Sequence, residues 1–113
     1  MKKFIVIYHA PNDAMEQTAG MSEEDQAKGM EAWMQWAKKC GDHLIDMGSP
    51  LMNGQVLIPN EQSKISNRNV AGYSILQAEN MEKAKELLHG HPHLAWNADC
   101  SIEVHETMPL PGM

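Results

Sequence analysis

The spacing at which apolar residues recur changes several times along the chain, and the order of these changes constrains the fold more than any other feature. Residues 3–9, KFIVIYH, are continuously apolar and β-branched, which is typical of a strand covered on both faces. Residues 22–48 then carry apolar side chains at spacings of three and four, which predicts a long helix capped by Ser22 and ended by Gly48. The predicted sheet-facing stripe of this helix consists of Met30, Trp33, Met34, Ala37, Cys40, Leu44 and Met47.

The rest of the chain predicts three further strands and a second helix. Residues 49–59 and 69–79 are short β-like segments, and the polar residues between them predict an antiparallel hairpin with a long loop. A shorter helix is expected to begin after Asn80 and to end near Gly90 and Pro92. The last strand is predicted over residues 100–106, CSIEVHE, where apolar and polar side chains alternate.

The resulting order is β-α-β-β-α-β, the arrangement of a ferredoxin-like α+β domain spanning residues 1–113. We expect a four-stranded antiparallel sheet of strand order 4-1-3-2 with both helices on one face. A single helical layer leaves the second apolar face of strand 3–9 uncovered. We therefore predict a homodimer that packs sheet against sheet about a two-fold axis.

Composition excludes two classes of partner. The formal net charge is −6 with nine Lys and Arg in 113 residues, which disfavours nucleic acid. No apolar run approaches the roughly 20 residues of a membrane-spanning helix, so no membrane partner is expected. The two cysteines, Cys40 and Cys100, have neither zinc-site spacing nor disulfide-framework density, which indicates a reducing cytoplasm.

Three of the six histidines lie in one short segment, residues 89–96, HGHPHLAW. In the predicted sheet, the end of the first strand lies beside the start of the last one, which brings His9 near Asp99. The connection that carries His91 crosses the same edge, with the loops at 10–21 and 59–69 as possible walls.

A candidate catalytic site therefore consists of His91, Asp99 and His9. A neutral imidazole with a pKa near 6.5 is suited to proton transfer, and a carboxylate could orient it. The alternative is that His91 complements a helix C-terminus and is purely structural. His89 and His93 are expected at the surface. A metal would need a third fixed ligand, so we predict a site without metal or cofactor.

Three segments together resemble the YCII-related family, in its DGPF-type branch. They are GSPL (48–51) after the long helix, GYSILQAENMEKAKELLHGHPHL (72–94) and IEVHE (102–106), and the match spans residues 2–107. The resemblance implies a dimeric α+β barrel of ferredoxin-like subunits, with a pocket beside the second helix.

The resemblance also bears on chemistry. A few relatives are linked to ring-opening or dehalogenating lyase reactions. Members of the better known branch are thought to use a His in the first helix and an Asp before the Pro that ends the second. Here His91 stands in the place of that Asp, and the first-helix position falls near Met30 or Glu31, with no His in reach.

Two functions are compatible with the sequence. The first is an acid–base enzyme, a lyase or isomerase acting on a small organic molecule, with His91 as general base, Asp99 as its orienter and His9 as a second acid or polar contact. The second is a dimer that binds a small ligand without turnover. The sequence does not decide between an enzyme and a binding protein, because both need the same His-lined pocket.

Overall fold

The computed structural model describes residues 1–11, 20–60 and 62–112. Within these ranges the chain forms the following strands and helices: β1 (Lys2–His9), α1 (Glu23–Cys40), β2 (Leu44–Pro50), β3 (Gln55–Leu57), β4 (Ser63–Ile65), β5 (Val70–Ala78), α2 (Met81–Leu87), α3 (Pro92–Trp96) and β6 (Ser101–Glu106). None of the helices in the described ranges has the length and apolar character needed to cross a membrane.

Four strands form one antiparallel sheet in the order β2-β5-β1-β6. The predicted α+β class and four-stranded antiparallel sheet are confirmed. The predicted strand order 4-1-3-2 is wrong for the outer strand that neighbours the third one, because the prediction placed residues 49–59 in that position. The strand that pairs there is β2, which begins within the segment predicted as the end of the long helix.

Gly41 explains why the long helix ends early. Its φ angle of 55° lies in the left-handed region, and its N–H donates to the carbonyl of Ala37. A short 3₁₀ turn over Gly41–His43 follows, and the chain then enters β2. Leu44 and Met47, predicted on the helix stripe, therefore belong to β2.

A second, two-stranded sheet consists of β3 and β4. We call residues 52–69 the arm. It includes residues 60–69, which were predicted as a loop but contain β4. The N–H of Ser66 donates to the carbonyl of Gly54, just before β3 begins. Asn53 and Asn69, one near each end of the arm, have φ angles of 57° and 60°. The arm is therefore a hairpin that leaves the main sheet between β2 and β5 through two left-handed residues.

The core lies between one face of the sheet and the helices. Its buried side chains are Phe4, Val6, Tyr8, Trp36, Cys40, Leu76, Ala78, Ala84 and Leu88. The predicted stripe on α1 is confirmed at Cys40, which is buried, and is wrong at Met30 and Met34, each 56% exposed. The stripe also left out Trp36, which the helix turns inward. The indole N–H of Trp36 donates to the carbonyl of Leu87 at 2.8 Å, which ties α1 to α2.

The two cysteines differ in environment. Cys40 is buried at the end of α1, with its Sγ 4.0 Å from the carbonyl oxygen of Leu87, and burial raises the pKa of its thiol. Cys100 is half-buried just before β6, and burial also raises its thiol pKa. Both are free thiols.

The other side of the sheet, which we call the open face, has an apolar centre. Ile5 and Ile7 on β1 pair with Ile75 and Tyr73 on β5, and all four side chains are half-buried. They alternate with the core residues of the same strands and therefore point away from the helices. The molecule is 20 Å thick along its shortest axis, which is the depth of one sheet and one helical layer.

Candidate functional site

His91 lies deep in the core rather than in a cleft. It caps the N-terminus of α3, where its Nδ1 accepts the N–H of His93 at 3.0 Å. The side chain is 1% exposed, and its ring lies 4.4 Å from that of Trp33 and 4.3 Å from that of Trp36 between centroids. The imidazole is thus enclosed by aromatic rings of α1.

A chain of hydrogen bonds runs from His91 through the core. Because Nδ1 accepts, the neutral ring carries its proton on Nε2, which donates to the hydroxyl of Tyr8 at 3.2 Å. The Tyr8 hydroxyl donates to Oγ of Ser74 at 2.7 Å, and Ser74 donates to the carbonyl of Met47 at 2.7 Å. Each donor in this chain has an acceptor, so the buried polar groups satisfy one another.

Burial keeps these groups uncharged. Desolvation lowers the pKa of His91 to about 4 and raises that of Tyr8 to about 12. The pKa of His93 is also lowered, chiefly by burial. At neutral pH His91 is therefore a neutral internal hydrogen-bond partner.

Asp99 does not orient His91. It lies in the turn before β6, where its side chain is exposed and its backbone N–H donates to Oδ1 of Asn97 at 2.8 Å. Both ring nitrogens of His91 already have partners, namely Tyr8 and the backbone of His93. The structure therefore separates Asp99 from the imidazole that it was predicted to orient.

His9 approaches this segment through its backbone but directs its side chain elsewhere. Its carbonyl accepts from Nε2 of His93 at 2.8 Å. Its imidazole lies on the open face, where Nδ1 donates to the carbonyl of Arg68 at 2.8 Å. His9 and His91 consequently lie on opposite sides of the sheet, and the predicted trio does not line one pocket.

The neighbouring predictions had mixed outcomes. His89 is exposed, as expected, whereas the surface position predicted for His93 is wrong because its side chain is buried. Of the two expected walls, the loop at 59–69 contributes the carbonyl of Arg68, which contacts His9. The loop at 10–21 lies mostly outside the described residues, since 12–19 are not among them.

The open face carries a cluster of titratable groups that we call the His9 cluster, formed by His9, Glu103 and His105. Nε2 of His9 lies against one carboxylate oxygen of Glu103, and Nε2 of His105 lies 2.8 Å from the other. Hydrogen bonds from His105 and His9 hold the pKa of Glu103 below its usual range. The carboxylate therefore stays ionised between two imidazoles.

The prediction of the site missed Glu103 and His105, although the pattern of the last strand contained a signal for both. Glu103 and His105 alternate with Ile102 and Val104, so they share the polar face of β6. Their closeness to His9 depends on the register, in which Ile7 pairs with Glu103, and register is set by pairing rather than by composition.

The described ranges hold no group of three or more His, Cys, Asp or Glu side chains arranged to bind a metal ion. The groups in the His9 cluster can instead exchange protons, because each imidazole has one nitrogen directed at the shared carboxylate. No family model matches the chain, and no curated protein matches it either.

Proposed function

We propose that the protein is an acid–base enzyme of the lyase or isomerase type, acting on a small organic molecule at the open face. His9 is its proton-transferring residue, and Glu103 is the positioning residue. One observation carries the proposal: the His9 imidazole is fixed at Nδ1 by the Arg68 carbonyl and directs its other nitrogen at a carboxylate on a half-exposed surface.

This geometry suits proton transfer. With Nδ1 donating to a carbonyl, Nε2 is the nitrogen of His9 at which a proton is gained or lost, and it lies beside the ionised Glu103. Nε2 of His9 is buried against the carboxylate, so a substrate carbonyl meets it as a proton donor, or as a base once it is deprotonated, when the half-exposed Glu103 side chain moves aside. His91 has no comparable route to solvent, because its ring is enclosed by Trp33, Trp36 and Tyr8.

The site needs a cover, which we propose is a second copy of the chain. Two subunits packed through their open faces would form a dimeric α+β barrel of ferredoxin-like subunits, as the resemblance to the YCII-related family implies. Glu103 and His105 lie on the outer strand β6, so the His9 cluster would lie at the rim of such an interface, beside a cleft. Two free thiols are in keeping with a reducing cytoplasm.

The experiment is a search for proton exchange at carbon. Pyruvate and acetoacetate both have acidic C–H bonds next to a carbonyl, and incubation in D₂O with NMR detection measures how fast these bonds gain deuterium. We expect the wild-type protein to accelerate exchange of at least one probe. His9→Gln should reduce that acceleration by about 10²-fold, the typical contribution of a general acid or base.

Two further variants make the result specific. Glu103→Gln should lower the exchange rate and shift its pH profile, because the carboxylate acts through His9. His89→Gln is the matched control, since His89 is an exposed histidine outside the cluster, and it should leave the rate unchanged. If neither probe exchanges while the ring signals of His9 shift on their addition, the alternative of a binding protein without turnover replaces the proposal.

A further inference from the structure

Arg68 is held beside the His9 imidazole by its backbone. Its carbonyl accepts from Nδ1 of His9 at 2.8 Å, and its N–H donates to Oγ of Ser66 at 3.4 Å. The next residue, Asn69, accepts the N–H of Ala10 through its carbonyl at 2.9 Å. These contacts use the main chain of residue 68, so they fix its Cα next to His9 whatever side chain the residue carries.

The guanidinium of Arg68 has no carboxylate partner within the described part of the chain. The ion pairs found there involve lysine or histidine side chains instead. Both carboxylate oxygens of Glu103 already face the imidazoles of His9 and His105. Arg68 is exposed, and it is the only arginine in the sequence. Its planar fork of N–H donors is therefore free to bind an anion from solution.

The charges beside His9 suit a ligand with one negative charge. Glu103 alone would repel an anion, and the positive charge of Arg68 offsets that repulsion. Arginine binds a carboxylate through two parallel N–H···O bonds. A phosphate group carries about two negative charges at pH 7 and is typically held by an arginine cluster or a helix N-terminus. A single guanidinium near an acidic side chain therefore matches a carboxylate.

We propose that Arg68 is the substrate-binding residue of this site and that the substrate is a small α-keto acid whose carboxylate it binds. The inference rests on the proposed function, because it names the substrate class for proton transfer at His9. In an α-keto acid the carboxylate is bonded directly to the carbonyl carbon. A guanidinium that binds the carboxylate therefore holds the keto group near the imidazole while Glu103 moves aside.

The test compares pyruvate with pyruvamide, in which an amide replaces the carboxylate and the keto group is kept. Each compound is titrated into the full chain while NMR follows the ring signals of His9, which gives a dissociation constant that does not depend on turnover. We expect the wild type to bind pyruvate about tenfold or more tightly than pyruvamide. Arg68→Gln should weaken pyruvate binding by about tenfold or more, because charge-assisted hydrogen bonds are lost, and should leave pyruvamide binding unchanged.

Two further variants separate geometry from charge. Arg68→Lys keeps the charge but not the fork of donors, so its affinity for pyruvate should be intermediate. Lys64→Gln is the matched control, since it removes one positive charge from the same arm at a residue that pairs with Val56 rather than with β1. It should leave the dissociation constant unchanged. Circular dichroism checks that each variant is folded.

The deuterium-exchange assay adds a kinetic readout. Arg68→Gln should raise KM for pyruvate by the same factor as the dissociation constant and change kcat by less than about twofold, because the guanidinium contacts a group that does not react.

The outcomes distinguish this inference from the proposed function. Pyruvate binding that depends on Arg68, without any exchange, supports the carboxylate site and overturns the enzyme. Exchange with the same KM in Arg68→Gln and wild type supports the enzyme and overturns the role of Arg68. Equal weakening by Lys64→Gln and Arg68→Gln, or no binding of pyruvate at all, also overturns that role. Displacement of pyruvate by an equal concentration of inorganic phosphate overturns the choice of a carboxylate.

Discussion

At the scale of single residues, the two best-placed histidines have opposite environments although both were predicted for one site. His91 is enclosed by Trp33 and Trp36 and bonded to Tyr8, whereas His9 is half-buried against Glu103. Enclosure keeps the imidazole of His91 uncharged, whereas His9 contacts an ionised carboxylate. Histidine therefore completes a buried hydrogen-bond network in one place and is, in our proposal, the proton-transferring residue in the other.

His91→Ala should destabilise the fold by about 3 kcal/mol, because it leaves a cavity, an uncapped His93 N–H and a Tyr8 hydroxyl without its donor. His91→Asn can still accept that N–H and should recover about 1 kcal/mol of the loss. Urea denaturation measures both. His89→Ala, at an exposed position, should change the free energy of unfolding by less than about 0.5 kcal/mol. Equal stabilities for His91→Ala and wild type would contradict the buried network.

Acid should destabilise the protein through His91. The unfolded chain binds a proton at this residue near pH 6.5, and the folded chain does so only near pH 4. Its contribution is thus fully present above pH 6.5 and is lost as the pH falls toward 4, a loss of about 2 to 3 kcal/mol. Burial acts in the same direction on the pKa of the neighbouring His93.

The measurement is the free energy of unfolding at a series of pH values between 7 and about 4.5, for wild type and His91→Asn. The slope for the variant should be smaller by roughly one proton, because one titrating group with a lowered pKa has been removed. Parallel slopes for the two proteins would show that His91 is not the group responsible.

At the scale of elements, β1, β5, α2 and β6 were predictable and the boundary between α1 and β2 was not. Phe4, Ile5 and Val6 allow only a buried strand, and Asn80 caps α2 as expected. The apolar spacing of residues 22–48 continues through Gly41, so periodicity alone extends the helix. Pairing with β5 outweighs that local preference and makes residues 44–50 a strand.

The candidate site was predictable only in part for a related reason. His9 could be predicted as a site residue from its position at the end of β1 alone. Predicting Glu103 as a site residue requires the register between β1 and β6, which depends on long-range pairing. The burial of His91 depended on where α1 places Trp33 and Trp36, and the sequence left the inward-facing side of that helix ambiguous.

Gly48 should be the least replaceable residue of β2. Its φ angle is 78°, and a Cβ atom there would lie 1.7 Å from the carbonyl oxygen of Tyr73 on the paired strand. Gly48→Ala should therefore cost about 3 kcal/mol or more, or prevent folding. Gly29→Ala is the matched control. It lies within α1 with open space around the added methyl group, and it should stabilise by about 0.5 to 1 kcal/mol. Thermal melting of the two variants measures both the expected loss and the expected gain of stability.

At the scale of the whole molecule, a flat subunit with an apolar open face should associate. Light scattering at micromolar concentration should give twice the subunit mass of 12.6 kDa. Ile5→Glu introduces a charge at the centre of the open face and should yield monomers that remain folded, as circular dichroism would show. Met30→Glu, on the exposed side of α1, should stay dimeric. A wild-type monomer mass would refute the association.

Because the two thiols are buried to different extents, the rates at which they react with a thiol reagent measure local opening of the fold. Cys100 should react with a disulfide reagent such as DTNB in the native state, slowly because its pKa is raised. Cys40 can react only after α1 lifts from the carbonyl of Leu87, so its labelling rate reports the free energy of that opening. Trp36→Phe, which deletes the hydrogen bond to Leu87, should speed labelling of Cys40 about tenfold and leave Cys100 unchanged. If the labelling rates of both cysteines increase together, the helix opens only when the entire subunit unfolds.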